Sequence, residues 1–437
     1  MKMAATASDR PGGKLLDIFQ TSADRQGAYD FVDNDRVKAS AIALAGWQAT
    51  YARSEASKIV HCVVDGSSLA IVDQTGTKGF GNVGSTLNGA CGLKVVTAYA
   101  VDQEGTPIGV THQQYWTRKS GKERHDQYKR PASEKETQKW LDAIKQTAKL
   151  FGEDASKLWF LVDREGDNQS FLTLLASLKG VRFTIRSCAN RRLFKGESDS
   201  HMLAKLRRQK PLGSYEITIP AGRRRPARCA KMIVRATTMT IAMTDMITYK
   251  ITPMRLTVVE ALELLSPDFK GKPIEWRLLT NVPVKTFRDA QRVIRGYTYR
   301  WRIEEFHKTW KSSACDIEGT QLRDPENVIR FATLMASVAS RIERLKVRSR
   351  KEPDLPADVE LKPSEIKAIL KLKRLHKKRT ETIPDSMPTL AQAIWWLAEL
   401  GGYTGKSSGG PPGAITIRRG LKYIAPVALL YEKNEMR

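Results

Sequence analysis

The sequence of 437 residues predicts an α/β fold. Short runs of β-branched residues alternate with segments whose apolar residues recur every three or four positions, which is typical of strands that pack against helices. The run LWFLV at residues 158–162 is apolar throughout, as in a strand covered on both faces. Residues 181–285 alternate polar and apolar side chains, whereas helical spacing prevails from residue 286. We therefore expect a sheet, a β-rich insertion, and helical regions at both ends of the chain.

The first part of the chain is predicted to pass from helix to strand. A helix is expected at residues 39–53. Four short runs then predict strands, the last two joined as a hairpin by DQEGT: 59–64, 69–72, 95–101 and 107–117. The following helix has Trp140 and Ile144 on one face, and Ser133 with Glu136 would form its capping box.

Helices are predicted again after the β-rich segment. Thr286 and Asp289 have the spacing of an N-cap and its third residue, and the helical pattern runs to about Ser312. Another helix is expected at 325–346. The linker EPDLP then leads through a basic segment to a last helical block around 391–400.

The composition is strongly basic. The chain has 73 Lys and Arg against 47 Asp and Glu, a net charge of +26. Two dense runs, GRRRPAR at 222–228 and KLKRLHKKR at 371–379, favour nucleic acid over an anionic membrane surface, because neither lies beside an amphipathic anchor. No stretch suits a membrane span or a signal peptide, so we expect a cytoplasmic protein. Charge alone predicts binding without sequence preference.

Two aspartates stand at the ends of apolar runs. Asp73 ends LAIVD and Asp163 ends LWFLVD. A carboxylate at a strand end is partly desolvated and suits a hard cation such as Mg²⁺. Asp also ends strands simply as a turn former, so each residue alone is a weak indication.

A third segment, YTYRWRIEEFHKTWK, predicts a polar stripe on a helix. Four residues share it, because three of them follow the first by 3, 7 and 14 positions: Tyr297, Arg300, Glu304 and Lys311. A carboxylate beside two cations and a phenol suits a phosphodiester site, in which cations hold backbone oxygens. The alternative is a ladder of surface ion pairs, since Arg and Glu four positions apart are common on exposed helices.

The segments VDQTGT, LVDREGD and YTYRWRIEEFHKTWK resemble the three catalytic segments of the bacterial cut-and-paste transposases of the insertion-sequence-four group. The resemblance extends in the same order through QGAYDFVDND, HQQYWTR, FTIRS, EWRLLTNVPV and LGGYTGK. It implies a ribonuclease-H-like core with a β-strand insertion between Asp163 and Glu304. It also implies an enzyme, a DDE transposase that nicks transposon ends, forms and opens a hairpin, and joins the 3′-OH to target DNA.

The resemblance further implies a role for each site residue. Asp73, Asp163 and Glu304 would form the catalytic triad that holds two Mg²⁺ or Mn²⁺ ions. Trp276 would receive a base flipped out of the DNA, although tryptophan on a strand is more often packing. The remaining residues expected to bind DNA are Arg186, Tyr297, Arg300, Trp301 and Lys311, together with the basic run Arg223, Arg224 and Arg225.

The expected partners are double-stranded DNA, both transposon ends and target, and a second copy of the chain in a synaptic dimer. The catalytic core would lie in two parts around the insertion, between an N-terminal helical DNA-binding region and a basic linker with a helical dimerisation region. The predicted boundaries are 1–56, 57–180, 181–285, 286–350 and 351–437.

Members of the group usually begin with a longer helical region that recognises the transposon end, whereas little precedes DRPGGK here. Specific end recognition is therefore in question. Two alternatives to an active transposase remain at this point. One is a non-catalytic inhibitor of transposition that acts by dimerisation, and the other is a ribonuclease-H-like nuclease that forms no hairpin.

Overall fold

The computed structural model describes residues 2–73, 77–83, 90–118, 135–222, 226–244, 250–265, 271–377, 381–406 and 410–435. Within these ranges the chain forms one large mixed sheet with helices packed on both faces. The helical start of the chain has four helices in its described part: α1 (Lys2–Asp9), α2 (Leu15–Ile18), α3 (Ser22–Asp33) and α4 (Ala39–Arg53). The helix predicted at 39–53 is confirmed.

The next strands correct one prediction and confirm another. They are β1 (Val60–Ala70), β2 (Gly81–Asn82), β3 (Cys91–Val101) and β4 (Pro107–Trp116). The two strands predicted at 59–64 and 69–72 are one strand, because the intervening DGSS pairs with β3 without interruption. The hairpin of β3 and β4 is confirmed. A Gly-Ser segment that resembles a turn can thus stay extended when a neighbouring strand takes up its backbone hydrogen bonds.

The centre of the sheet is parallel. After α5 (Glu136–Phe151), the chain forms β5 (Leu158–Val162), α6 (Gln169–Ser177) and β6 (Arg182–Arg186). β5 pairs in parallel with β1 on one side and β6 on the other. All five residues of β5 are buried, as its apolar composition predicts. The expected start of α5 at Ser133 lies outside the described residues, and Lys135 is the N-cap.

The β-rich segment continues the same sheet. After the short α7 (Met202–Arg207), it forms β7 (Gly213–Ile219), β8 (Arg228–Thr244), β9 (Ile251–Glu263) and β10 (Glu275–Thr280). These strands are antiparallel, and β10 pairs with β6. The described strands therefore follow the order β2-β3-β1-β5-β6-β10-β9-β8-β7, with β4 beside β3.

Helices form the rest of the chain. They are α8 (Phe287–Thr298), α9 (Trp301–Lys311), α10 (Pro325–Lys351), α11 (Pro363–Leu375), α12 (Leu390–Leu400) and α13 (Ala414–Glu435). Thr286 and Asp289 form the predicted capping box of α8. The helical pattern predicted from there to about Ser312 is confirmed, although the hydrogen bonds shift to i→i−3 around Tyr299 and separate α8 from α9.

Both faces of the sheet are covered. One apolar core joins the sheet to α8, α9 and the long α10, and the other joins it to α5, α6 and α7. Neighbouring residues of β5 enter opposite cores, Trp159 the first and Phe160 the second. In the described part of the chain, no helix combines the length and the hydropathy needed to cross a lipid bilayer.

Candidate active site

Two carboxylates meet where the central parallel strands run side by side. Val64 of β1 is aligned with Val162 of β5, so the next residues, Asp65 and Asp163, occupy neighbouring positions on the two strands. Asp163 caps the turn that follows β5, and its Oδ1 accepts a hydrogen bond from Glu165 N over 2.8 Å. The sheet thus brings together two acidic residues that are far apart in the sequence.

The surroundings of Asp65 oppose its ionisation. Burial raises the pKa of this carboxyl to about 7, and the negative charge of Asp163 acts in the same direction. Arg300 partly offsets these effects, with Nη1 3.8 Å from Asp65 Oδ2. A pair of partly buried carboxylates is a donor set that suits a hard divalent cation, whose charge removes the repulsion between them.

Asp73 lies elsewhere. The ladder between β1 and β3 continues to Ala70, and Ile71 extends it by one further hydrogen bond. At about 3.3 Å per residue, this extended segment carries Ile71 about 20 Å beyond Asp65 along the sheet, and Asp73 follows two residues later. Asp73 Oδ2 accepts from Lys78 N over 3.2 Å. Asp73, expected as the first carboxylate of the site, is therefore not the residue beside Asp163; the aspartate at that position is Asp65.

Asp65 could have been found from the sequence. VHCVVD is an apolar run that ends in Asp, as LWFLVD does at Asp163. The GSS that follows Asp65 suggested a turn, and LAIVD after it offered a second candidate. Only the register between β1 and β5 shows which of the two aspartates faces Asp163.

The polar stripe predicted on the third segment faces β1. Arg300, at the junction of α8 and α9, bonds to Glu304 and approaches Asp65. Eleven residues further on, Lys311 Nζ lies 3.4 Å from Ser67 Oγ of β1. The break between the two helices therefore leaves the stripe intact, and its charged groups lie along the strand that carries Asp65.

A surface ladder of ion pairs does not account for this stripe. Arg300 and Glu304 do pair at i, i+4, and Lys311 Nζ lies 3.5 Å from Glu318 Oε1. However, the side chains of Arg300 and Lys311 are only 18% and 24% exposed. Within the described ranges, no three His, Cys, Asp or Glu side chains are grouped closely enough to bind a metal ion, and Glu304 pairs with Arg300. A site with all three carboxylates requires Glu304 to turn away from Arg300.

Two aromatic residues form one wall of the site. The ring of Trp276, on β10, lies edge-to-face on Tyr297, with 5.5 Å between ring centroids. Tyr297 is 3% exposed, and its hydroxyl has no hydrogen-bond partner among the residues that the structure describes. Burial raises the pKa of Tyr297 to about 12, so the phenol stays protonated and can donate a hydrogen bond to a bound phosphate.

Trp276 also borders a cavity of about 960 Å³ that lies along α8. Its wall includes Trp159, Tyr215 and Tyr299. Trp276 is half-buried and therefore retains a face that a ligand can reach. The packing role considered for this residue is thus compatible with a binding role.

The other residues expected to bind DNA have different surroundings. Arg186 ends β6 near the site, and burial and the charges of Arg164 and Arg300 lower its pKa. Trp301 is 60% exposed at the start of α9. The basic run Arg223, Arg224 and Arg225 lies outside the described residues.

The second basic run is less available to DNA than its sequence suggests. Within 371–379, Lys373 is 3% exposed, and its Nζ lies 2.6 Å from Glu399 Oε2 and 2.9 Å from Glu381 Oε2. Arg374 pairs with Asp385. Part of this positive charge therefore stabilises the helices of the C-terminal region instead of remaining free for phosphates.

Comparison with known protein families provides independent information on this C-terminal region. Residues 337–432 match the family described as the transposase Tn5 dimerisation domain. The match begins within α10 and includes α11, α12 and most of α13. The member of the insertion-sequence-four group that the three motifs resemble most is likewise the transposase of bacterial transposon five. The match supports the resemblance to the transposases of this group, and it shows that the C-terminal region is similar to the Tn5 dimerisation domain.

Proposed function

We propose that the chain is a DDE transposase that excises a mobile element by nicking and hairpin formation and then joins the free 3′-OH ends to target DNA. The observation that carries this proposal is the position of Asp65 beside Asp163, with Glu304 near enough for its charge to act on Asp65. The mixed sheet, in which β1 lies between antiparallel β3 and parallel β5, supports the ribonuclease-H-like core that the motifs imply.

Asp65, Asp163 and Glu304 would hold the two Mg²⁺ or Mn²⁺ ions. When bound, such ions activate an attacking oxygen and stabilise the leaving one. The protein side chains prepare the site in three ways. Partial burial restricts the access of water to Asp65, Arg300 limits the repulsion between the carboxylates, and Glu304 lies near enough for its charge to act on Asp65.

Hairpin formation places a further demand on the protein, because a base must leave the stack at a cost of a few kcal/mol. Stacking on an aromatic side chain returns about 1–3 kcal/mol per base. Trp276 is suited to this role since it lies against Tyr297 at the edge of the site and borders a cavity. Tyr297, Arg300, Lys311 and Arg186 supply donors and positive charge for the neighbouring phosphates.

The dimerisation domain supports a homodimer. In the proposed synaptic complex, two copies hold two transposon ends, and one site performs every step of cleavage and joining. A dimer in which each subunit acts mainly on the end held by its partner would prevent cleavage of a single unpaired end.

The test is a cleavage assay on DNA that carries the element's own ends with their flanking sequence. With Mg²⁺, we expect a nick at the transposon end followed by a hairpin. With Ca²⁺, we expect binding without cleavage, because the looser coordination of Ca²⁺ positions the reacting oxygens poorly. Nicking without any hairpin would contradict the proposal and favour a ribonuclease-H-like nuclease. Binding and dimer formation without cleavage under any divalent cation would favour an inhibitor.

A further inference from the structure

A small cleft beside the carboxylates is lined mainly by arginines. It has a volume of about 140 Å³, and its lining residues are Arg164, Arg186, Ser187, Cys188, Glu275 and Arg277. Arg164 directly follows Asp163, so the cleft adjoins the candidate active site. The strands hold the other two arginines in place, since Arg186 ends β6 and Arg277 lies on β10, which pairs with it.

Most of the positive charge in this cleft lacks a carboxylate partner. Arg277 Nε donates to Glu275 Oε1 over 2.7 Å. Arg186 Nη2 instead donates to the backbone carbonyl of Glu275 over 3.2 Å. No ion pair is found for Arg164 or Arg186 among the residues that the structure describes. Three guanidinium groups against one carboxylate leave the cleft with a net positive charge.

We propose that this cleft binds one backbone phosphate of the transposon-end DNA, next to the phosphate that is cleaved. Guanidinium groups bind phosphate oxygens with two parallel hydrogen bonds, and a concave site for a single anion fixes the position of the strand more precisely than an exposed basic surface does. The cleft would thus set the register of the DNA relative to Asp163. This inference rests on the proposed function and adds Arg164 and Arg277 as positioning residues.

Glu275 gives the cleft a further property. Its carboxylate accepts a hydrogen bond from the guanidinium of Arg277. An incoming phosphate must therefore compete with Glu275 for this guanidinium. We expect Glu275→Gln to increase the affinity for end DNA, because the substitution removes the competing negative charge and keeps the size of the side chain.

The test is a coupling experiment with end DNA in which single phosphates around the cleavage site are replaced, one at a time, by uncharged methylphosphonates. Binding is measured in Ca²⁺, so that cleavage is not needed for the result. For the wild-type protein, we expect one position at which the replacement weakens binding about tenfold. Arg164→Ala and Arg277→Ala should each weaken binding to unmodified DNA and make the protein insensitive to the replacement at that position.

The control is Arg292→Ala, which removes an exposed arginine of α8 that does not line the cleft. This variant should retain the full penalty at the critical position. Arg164 is exposed, so its substitution keeps the test valid if Arg277→Ala fails to fold. An equal penalty in wild-type and both cleft variants at every position would overturn the inference. If the cleft variants lose the methylphosphonate penalty as expected but the wild-type protein never cleaves DNA, the result contradicts the proposed function and not the binding of a phosphate in the cleft.

Discussion

The assignment of Asp65 is tested by a matched pair of variants, Asp65→Asn and Asp73→Asn. Both remove one negative charge and keep the size of the side chain. A bound divalent ion supplies several kcal/mol of transition-state stabilisation, and about 4 kcal/mol corresponds to roughly a 10³-fold change in rate. We therefore expect Asp65→Asn to reduce nicking about 10³-fold. Asp73→Asn should change it only a few-fold, because Asp73 follows the end of an extended segment that runs about 20 Å from Asp65 along the sheet.

The structure also predicts opposite effects of Asp65→Asn on stability with and without divalent ions. Carboxylates on neighbouring strand positions lie about 5 Å apart, and at an effective dielectric constant of about 20 their repulsion is about 3 kcal/mol. Arg300 offsets part of it. Without divalent ions, Asp65→Asn should thus unfold at an equal or higher temperature than wild-type. The stabilisation that Ca²⁺ provides, about 2.7 kcal/mol at a hundred times its Kd, should be lost.

Two measurements distinguish Asp65 from Asp73 as the metal-binding carboxylate. They are nicking of a plasmid with transposon ends in Mg²⁺, and thermal unfolding with and without Ca²⁺. Asp73→Asn is the control in both, and its Tm should respond to Ca²⁺ as that of wild-type does. Normal nicking by Asp65→Asn together with an inactive Asp73→Asn would refute the assignment. So would an unchanged Ca²⁺-induced shift of Tm in Asp65→Asn.

Four further predictions follow from individual side chains. Glu304→Gln should abolish nicking whereas Glu305→Gln, which removes a partner of Arg302 and Lys346, should lower Tm more than activity; the reverse pattern would remove Glu304 from the site. Trp276→Ala should nick at a near-normal rate yet accumulate nicked DNA with little hairpin on a gel, and equal losses in both steps would indicate a folding role. Burial lowers the pKa of His112 from 6.5 to about 4, so the neutral ring contributes about 3 kcal/mol of stability that is fully present above pH 6.5 and is lost as the pH falls through 4. His112→Phe should accordingly lose less stability than wild-type over that range in urea unfolding, and equal losses would show that His112 is protonated in the folded protein. Leu430 is 62% exposed on α13 within the dimerisation domain, so Leu430→Glu should shift the sedimentation equilibrium towards monomer at unchanged Tm; an unchanged dimer would place the interface on another face of α13.

Much of the local structure could be predicted because it depends on short-range interactions. The capping box at Thr286 and Asp289 involves only neighbouring residues, and it is present as predicted. The apolar run of β5 predicts a strand that is buried on both faces, because neither face could be left in water. The order of the three motifs and the excess of positive charge are also properties of the sequence alone.

The choice between Asp65 and Asp73 illustrates what local pattern could not decide. Both aspartates follow apolar runs, so hydrophobic periodicity treats them alike. The local pattern also did not predict the irregular turn at Tyr299 between α8 and α9, where Tyr299 packs against His61 of β1, far away in the sequence. Lys373 appeared in a basic run, but its carboxylate partners, Glu381 and Glu399, come from later segments.

By itself, then, the sequence determined many of the helices and strands, the basic character, the resemblance to the transposase group, and two carboxylates of the candidate site, Asp163 and Glu304. The tertiary structure alone decided that Asp65, and not Asp73, lies beside Asp163. It also decided that the β-rich segment extends the central sheet through β6 and β10, and that three arginines meet beside Asp163. The physical reason is that strand register and side-chain proximity depend on backbone pairing between distant segments, whereas helix capping and hydrophobic periodicity depend on residues within a few positions of one another.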